Sequence, residues 1–369
     1  MFDWASTPKR VASPTILAVA LLAGASAPQA GGAEGKTVTD PNGNSVTLAR
    51  AAERVAALPP PLGTFVVSVA GGPERIVTVH PWSKAAMLCG TLVEYFPKLR
   101  DLNAGAVGQD FMPNIEELVR LAPDLVFQVG SFAGAQTDLV RAAGLPLLTI
   151  NITAGDDAVA WLPMLGAALG AETSARDILA WRMSVRSAIE AVTRDLPQKA
   201  RPTVVHVSLF GSALAVVGGA HIRSWQIGLA GGVNLAAGFR QVNVQIDPEQ
   251  LLAWDPDVIL LNAFDDELRP SRFYEDPRFA GLSAVINRRV YAWPIGGDRW
   301  EAPTQESPLG WMWLSRLLQP QLFDWSMLDE IARGHTLLYG HAPSPARTWE
   351  ILRMRENAGS KDYERLFAR

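Results

Sequence analysis

The chain has 369 residues, of which 48% are hydrophobic and 19% charged, and its formal net charge is −4. A chain of this length usually forms two domains, each with its own core. The composition is typical of a folded protein, and the weak negative charge argues against a disordered chain or a nucleic-acid binder. The single cysteine and five scattered histidines form no HExxH motif or close pair, so a conventional zinc site is not indicated.

The N-terminal segment, residues 1–30, has the pattern of a secretory signal peptide. Lys9 and Arg10 precede the short apolar run "ILAVALLAGASA", which small residues follow. Since no cysteine lies near the end of this run, we expect a periplasmic protein without a lipid anchor. The alternative is an N-terminal helix of a cytosolic protein. No later segment approaches 18 apolar residues, so no membrane span is expected. Three cleavage points remain open, after Ala25, Ala27 or Ala30.

Residues 37–170 predict an N-terminal α/β lobe. "KTVTDPNGNSVTLA" predicts a β-hairpin, "TFVVSV" and "ERIVTVH" predict strands, and "SKAAMLCGTLVEYF" predicts a helix. A helix from Ile115, a strand "DLVFQV", a helix near "AQTDLVRAAG" and a strand "PLLTI" follow. Short, almost continuously apolar strands that alternate with helices are typical of a parallel sheet covered on both faces.

Residues 171–197 predict one long helix, because apolar side chains recur at helical spacing and no glycine or proline lies between Thr173 and Leu196. At 1.5 Å per residue it would be roughly 36 Å long, about one domain diameter. Beyond it, residues 201–345 repeat the alternation, with strands "PTVVHVSLF", "VILLN" and "RVYAWP" and the tryptophan-rich helix "SPLGWMWLSRLLQP". We expect residues 346–369 to form a charged, frayed C-terminal tail.

One segment occurs twice, as "PNIEELVRLAPDLVF" at residues 113–127 and as "DPEQLLAWDPDVILL" at residues 247–261. Each copy predicts a capped helix, a Pro-Asp stop and a buried strand, with Asn114 and Asp247 as N-caps. Capping does not require the glutamate at the second helical position of both copies, Glu116 and Glu249. Complementarity to the helix dipole is the simplest structural reason for them.

Two α/β lobes, one long helix, a signal sequence and this repeat resemble the periplasmic substrate-binding proteins of ABC importers, of the iron–siderophore, haem and vitamin B12 class. The resemblance extends from about Glu74 to Phe323. It implies two Rossmann-like lobes with parallel-rich sheets bridged by a single long α-helix. Because a rigid helix spans the lobes, we expect a monomer that closes only slightly around its ligand. The resemblance also implies that Glu116 and Glu249 dock against arginine pockets on the membrane permease. No permanent cofactor and no catalysis are expected.

Ligands of open α/β sheets bind beyond the carboxyl ends of the strands. Aromatic and polar residues follow several predicted strands, and Arg223 could reach a carboxylate of a ferric chelate. We therefore expect ligand contacts from His80, Trp82, Gln128, Phe132, Phe210, Arg223, Arg299 and Trp300.

The sequence does not decide the identity of the ligand. An iron–siderophore-type chelate is the first expectation, and haem, a corrinoid or a metal oxyanion such as molybdate are alternatives. Two features of the sequence differ from the usual pattern of the family that it resembles: an insertion before Glu74, and Lys84 in "HPWSKAAM". Both weigh against assigning a hydroxamate or catecholate siderophore by analogy. An exported α/β enzyme is the alternative of another class. The chain has no GxSxG motif, P-loop or GxGxxG, and this argues against it.

Overall fold

The computed structural model describes residues 35–368, except 131–133, 154, 211–213 and 265–267, and for Phe210 it describes the backbone alone. The predicted signal peptide lies outside the described residues. Within them, no helix is both long and apolar enough to cross a membrane.

The first lobe is built on a four-stranded parallel sheet of order β4-β3-β5-β6, beside which β1 and β2 form the predicted antiparallel hairpin. The strands are buried between helices, as the apolar strand pattern predicts. The elements in chain order are β1 (Lys36–Thr39), β2 (Ser45–Leu48), β3 (Val55–Ala57), α1 (Leu62–Ala70), β4 (Ile76–Val79), α2 (Pro81–Cys89), α3 (Leu92–Tyr95), α4 (Ile115–Leu121), β5 (Leu125–Val129), α5 (Ala135–Ala142), β6 (Leu147–Ile150) and α6 (Ala158–Leu169).

The strand predicted at "TFVVSV" is wrong, because these residues belong to helix α1. Their β-branched side chains favour a strand, yet residues 62–69 are buried throughout and pack against other helices. Phe65, for example, meets Trp161 of α6 edge-on at 4.6 Å. The hydroxyl of Thr64 donates to the carbonyl of Pro61 at 2.7 Å, so it is satisfied inside the helix. Tertiary packing here overrides local propensity.

Helix α7 (Glu172–Thr193) joins the two lobes. Ile178, in its first half, lies in the core of the first lobe, and Ile189, near its end, lies in the core of the second. Between them the buried Arg182 donates to Asp156 at 2.6 Å and to the carbonyl of Thr304 at 3.0 Å. The predicted bridging helix is therefore present and is fixed to both lobes at its middle.

The second lobe contains a mixed sheet of order β10-β8-β7-β11-β12, with β9 paired to β7. Strands β7, β9, β11 and β12 are parallel, whereas β8 and β10 are antiparallel additions at one edge. The elements are β7 (Thr203–Phe210), β8 (Leu214–Val217), α8 (Ile222–Leu229), β9 (Val233–Asn234), β10 (Asn243–Ile246), α9 (Pro248–Trp254), β11 (Val258–Leu261), α10 (Pro270–Glu275), α11 (Ser283–Ile286), β12 (Val290–Ala292) and α12 (Ser307–Leu318).

A second helix, α13 (Met327–Tyr339), also spans both cores. Ile331 packs in the core of the second lobe, whereas Leu338 packs in the core of the first. The chain thus crosses between the lobes by α7 and returns by α13. Two crossing helices make a wide hinge motion less favourable than a single helix would.

The prediction of a frayed tail over 346–369 is wrong for the described residues. Two more helices, α14 (Pro345–Ile351) and α15 (Tyr363–Phe367), follow α13. Tyr363 and Phe367 are buried in the second core, and the hydroxyl of Tyr363 accepts from the indole of Trp313 at 3.0 Å. Charged residues alternate with these aromatics and face solvent, which made the segment resemble a tail.

Candidate functional site

The two copies of the repeated segment form equivalent helices, α4 and α9. The side chain of Asn114 accepts the backbone N–H of Glu117 at 3.1 Å, and Asp247 accepts that of Gln250 at 2.6 Å. Both predicted caps are confirmed. Each satisfies one of the free N–H groups at the start of a helix.

The Pro-Asp stop of each copy ties the segment to the neighbouring parallel strand. The carboxylate of Asp124 accepts the N–H groups of Glu53 and Arg54, just before β3, at 2.8 and 2.9 Å. Asp257 accepts the N–H of Thr203, at the start of β7, at 2.8 Å. Most residues of the repeated segment therefore have a structural role, which is the same in both lobes.

Glu116 and Glu249 are both exposed in the first turn of their helices, and neither forms an ion pair within the described part of the chain. The neighbouring Glu117 is engaged instead, since it accepts from Arg120 at 2.6 and 2.7 Å and from Asn103 at 2.8 Å. Two free carboxylates in equivalent places are compatible with docking, and that role remains a prediction.

His80 and Trp82 follow β4 in the first lobe. His80 is fully buried and caps α2, with Nδ1 accepting the N–H of Trp82 at 3.1 Å. Burial lowers the pKa of His80, and its ring packs on that of Phe111 at 4.7 Å. His80 thus has a structural role as a helix cap, and its contact with ligand stays a prediction. Trp82 is 47% exposed, and its contact with ligand stays a prediction.

Gln128 is also buried, within β5. Its amide donates to the carbonyl of Phe111 at 3.2 Å, and its oxygen accepts the N–H of Val129 at 2.9 Å. Gln128 thus supports the loop that carries Phe111, and its contact with ligand stays a prediction. The ring of Phe111 meets that of Trp82 at 5.7 Å, so these two form the aromatic face of the first lobe.

Two further predicted contacts are not decided by the structure. Phe132 lies outside the described residues, and Phe210 ends β7 but its side chain is not described. Both remain predictions.

In the second lobe, two arginines flank Phe264, which follows β11 and is 51% exposed. The guanidinium of Arg299 lies 4.4 Å from the ring centre and that of Arg223 lies 5.7 Å from it. Arg299 also donates to the carbonyl of Ala263 at 3.1 Å, while the N–H of Ala263 donates to Glu301 at 3.0 Å. The structure therefore brings the two predicted arginines together at one strand end.

Arg223 is only 7% exposed, yet its guanidinium has few acceptors. Its Nη2 lies 3.9 Å from Oε1 of Glu301, its Nη1 lies 3.1 Å from Nε2 of His221, and its Nε has no acceptor within the described chain. Burial, with Arg223 nearby, lowers the pKa of His221 to about 3, so the imidazole is neutral. A neutral imidazole has one acceptor nitrogen, but His221 faces both Nη1 and the backbone N–H of Arg223. Within the described part of the chain, Nε and one of these two donors of Arg223 therefore lack an acceptor.

The positive charge of this site comes from the arginines alone. His206 lies behind them, fully buried, and burial together with Arg223 and His221 lowers its pKa well below the usual range. Neither ring nitrogen of His206 has a hydrogen-bond partner among the described atoms. Sequence reasoning missed His221 and Glu301, although each is within two residues of a predicted arginine.

Trp300 has a structural role, and its contact with ligand stays a prediction. Trp300 is fully buried, and its indole donates to Oε2 of Glu306 at 2.6 Å. The same carboxylate accepts the N–H of Gly297 at 2.8 Å and the hydroxyl of Tyr339 at 2.6 Å. Because the loop folds back onto this buried acid, Trp300 anchors the segment that presents Arg299.

No group of three or more His, Cys, Asp or Glu residues among the described residues could hold a metal ion. A cavity of about 810 Å³ is formed by the C-terminal helices around Trp349 and Met354, not by strand ends. The arginine–phenylalanine cluster and the aromatic face of Trp82 are thus the best candidates for ligand contact.

Comparison with known proteins decides the family. Residues 91–295, more than half of the chain, match the family described as periplasmic binding protein. The chain belongs to this family. It is a solute-binding protein and not an enzyme, and such proteins carry transported ligands rather than permanent cofactors.

Solved and curated relatives share the two-lobed fold. A periplasmic solute binding protein from Veillonella parvula is 27% identical, with a TM-score of 0.81 over 88% of this chain and 98% of that one. The molybdate-binding protein MolA of Haemophilus influenzae is 22% identical over 81% of this chain and 89% of its own, and its molybdate-bound structure has a TM-score of 0.71. CeuE of Helicobacter pylori, in a nickel–histidine complex, is 16% identical over 86% of this chain and 99% of that one, with a TM-score of 0.66.

Proposed function

We propose that this protein is the periplasmic receptor of an ABC importer and that it carries an anionic metal chelate, of the iron–siderophore type, between its lobes. The observation that carries the proposal is the buried guanidinium of Arg223, whose Nε has no acceptor in the described chain and whose Nη1 shares the neutral His221 with a backbone N–H. A buried donor without an acceptor costs about 1–3 kcal/mol, so a ligand oxygen placed there relieves that cost. The positive charge favours an anion.

An organic chelate fits the remaining surface better than a bare ion does. Trp82 and Phe264 are each about half exposed at strand ends, and such aromatic surface binds apolar parts of a ligand. Arg299 is partly exposed and can bind a carboxylate in a bidentate manner. A bare cation would need clustered carboxylates or histidines, which the described residues do not provide.

Titration calorimetry with four probes tests the ligand class: ferric citrate, molybdate, haemin and cyanocobalamin. We expect ferric citrate, as a carboxylate-bearing chelate, to bind and Arg299→Gln to weaken it by roughly tenfold or more, since one charge-assisted contact is lost. Leu139→Asn, an exposed change on α5, is the control and should leave binding unchanged. Binding of cyanocobalamin alone, unaffected by Arg299→Gln, would overturn the proposal.

Molybdate is the second candidate, because MolA is a relative over most of the chain and two arginines suit a tetrahedral oxyanion. A small oxyanion does not need the aromatic face. Trp82→Ala should therefore weaken ferric citrate and leave molybdate unchanged. If molybdate binds tightly and ferric citrate does not bind, the oxyanion becomes the ligand.

We also propose that Glu116 and Glu249 dock the loaded receptor, as a monomer, on the permease. Exposed charges of this kind fix orientation and raise the association rate more than the affinity. Reversal of both to lysine should leave the affinity for ferric citrate intact and abolish stimulation of ATP hydrolysis by the importer. Loss of ligand binding in that variant would instead assign the glutamates to the fold.

Export by the predicted signal peptide completes the proposal. N-terminal sequencing of the protein from the periplasm should give a first residue after Ala25, Ala27 or Ala30. An intact N-terminus in the cytosol would contradict it.

A further inference from the structure

Helices α4 and α9 present the same surface in both lobes. Over residues 114–123 and 247–256, every position is buried, half-buried or exposed in the same order. Each helix has one fully buried leucine and, directly after it, an exposed aliphatic residue. Val119 is 54% exposed and Leu252 is 39% exposed, at the same place in the repeat.

Helices α4 and α9 themselves also carry the same net charge although their sequences differ, and two additional acids, Asp247 and Asp255, flank α9 as its N-cap and C-cap. In α4, Glu117 and Arg120 neutralise each other through two hydrogen bonds, which leaves Glu116 as the uncompensated charge. In α9, the corresponding positions are the uncharged Gln250 and Ala253, so Glu249 alone is charged. Each helix therefore presents one free carboxylate.

The aliphatic residue and the carboxylate lie on one face. Glu116 and Val119, like Glu249 and Leu252, are three residues apart, a spacing that places side chains next to each other on a helix. The core does not need an apolar residue at either position, since Leu118 and Leu251 fill it. A single exposed aliphatic residue is ordinary, but the same charged and apolar pair in both lobes calls for a common cause.

We propose that Val119 and Leu252 are the apolar half of the docking surface, and that each lobe offers its carboxylate–aliphatic pair to one of two equivalent sites on the transporter. Each site then presents a cationic side chain beside an apolar contact. A partner with two equivalent sites is one built from two copies, or two similar halves, of the same subunit. This inference rests on the proposed docking function.

The test uses the full-length receptor and the importer isolated from membranes of the source organism and placed in lipid nanodiscs. Affinity and stimulation of ATP hydrolysis are measured for Val119→Asn, Leu252→Asn and their combination. We expect each single change to weaken binding by roughly fivefold to tenfold, and the pair to multiply the two effects, because an aliphatic contact is lost at each site. Leu139→Asn, equally exposed but outside the repeat, should have no effect.

The reversal of both glutamates to lysine separates the two proposals. If that reversal abolishes binding while both asparagine variants bind as tightly as the parent, the apolar contact is refuted and docking stands. If neither the reversal nor the asparagine variants change binding, docking itself fails. A loss from only one of the two asparagine variants would refute two equivalent sites.

Discussion

Removal of Arg223 should abolish tight binding of an anionic ligand, provided that its neighbour Glu301 is changed with it. Arg223→Met alone leaves the fully buried carboxylate of Glu301 without its counter-charge at 3.9 Å. Such a loss typically destabilises a fold by about 3–5 kcal/mol. The informative comparison is therefore Glu301→Gln against Arg223→Met/Glu301→Gln, since the amide oxygen of glutamine can still accept the N–H of Ala263.

The expected magnitude follows from the missing acceptors. A hydrogen bond from a charged donor contributes about 1.5–3 kcal/mol, so loss of one such contact weakens binding by about 10- to 150-fold. Glu301→Gln alone should strengthen binding by about fivefold, because it removes a negative charge near the anion. The affinity of Glu301→Gln should thus be higher than that of the parent, and the affinity of the double variant should be lower.

Titration calorimetry with ferric citrate measures the affinities, and urea unfolding verifies that both variants are folded. A folded double variant that binds as tightly as Glu301→Gln would refute the role of Arg223. So would a weaker affinity of Glu301→Gln than of the parent, since it would mean that the carboxylate and not the guanidinium meets the ligand.

Three further predictions concern stability and motion. Burial raises the pKa of Asp298 to about 7, so the folded state holds this proton more tightly than the unfolded state does. Relative to Asp298→Asn, the parent should therefore lose about 2–4 kcal/mol of unfolding free energy, measured in urea, as the pH rises from 4 to 7. A difference that does not change with pH would contradict this. Arg182→Met should lower the unfolding free energy by about 3–5 kcal/mol, because it leaves the buried carboxylate of Asp156 without its counter-charge. Arg182→Met/Asp156→Asn should lower it by clearly less, and equal losses for the two variants would refute the pairing. Since α7 and α13 both cross between the lobes, X-ray scattering of free and loaded protein should give nearly superimposable profiles, and a large compaction would contradict small closure.

Sequence patterns predict β4, β5, β6, β7, β11 and β12, because strands buried on both faces produce short apolar runs. They miss the short parallel strands β3 and β9. They fail at α1, where the same β-branched composition occurs in a helix packed by other helices. They fail again at Tyr363 and Phe367, which pack on a helix about fifty residues earlier in the chain. In both places the outcome depends on tertiary contacts and not on local propensity.

The sequence also predicts some features of the site and does not decide others. Strand-end position identifies Arg299 and Trp82 as candidates because the carboxyl ends of parallel strands are fixed by the sheet. The structure leaves both side chains at least partly exposed, and their contact with ligand stays a prediction. It does not tell whether a side chain points outward. Gln128 is turned inward by a carbonyl 17 residues earlier, and Trp300 by a carboxylate six residues later. The sequence already offers Arg223 as a contact for an anion, and the structure adds that its guanidinium is buried with Nε lacking an acceptor among the described residues.

The central claim is that the receptor carries an anionic metal complex held by Arg223. Native mass spectrometry of the protein purified from its own periplasm tests this most directly. We predict a bound species whose mass and charge correspond to an anionic metal chelate, present in the parent and in Glu301→Gln and absent from Arg223→Met/Glu301→Gln. A neutral or cationic ligand, or a ligand retained by the double variant, would contradict the account.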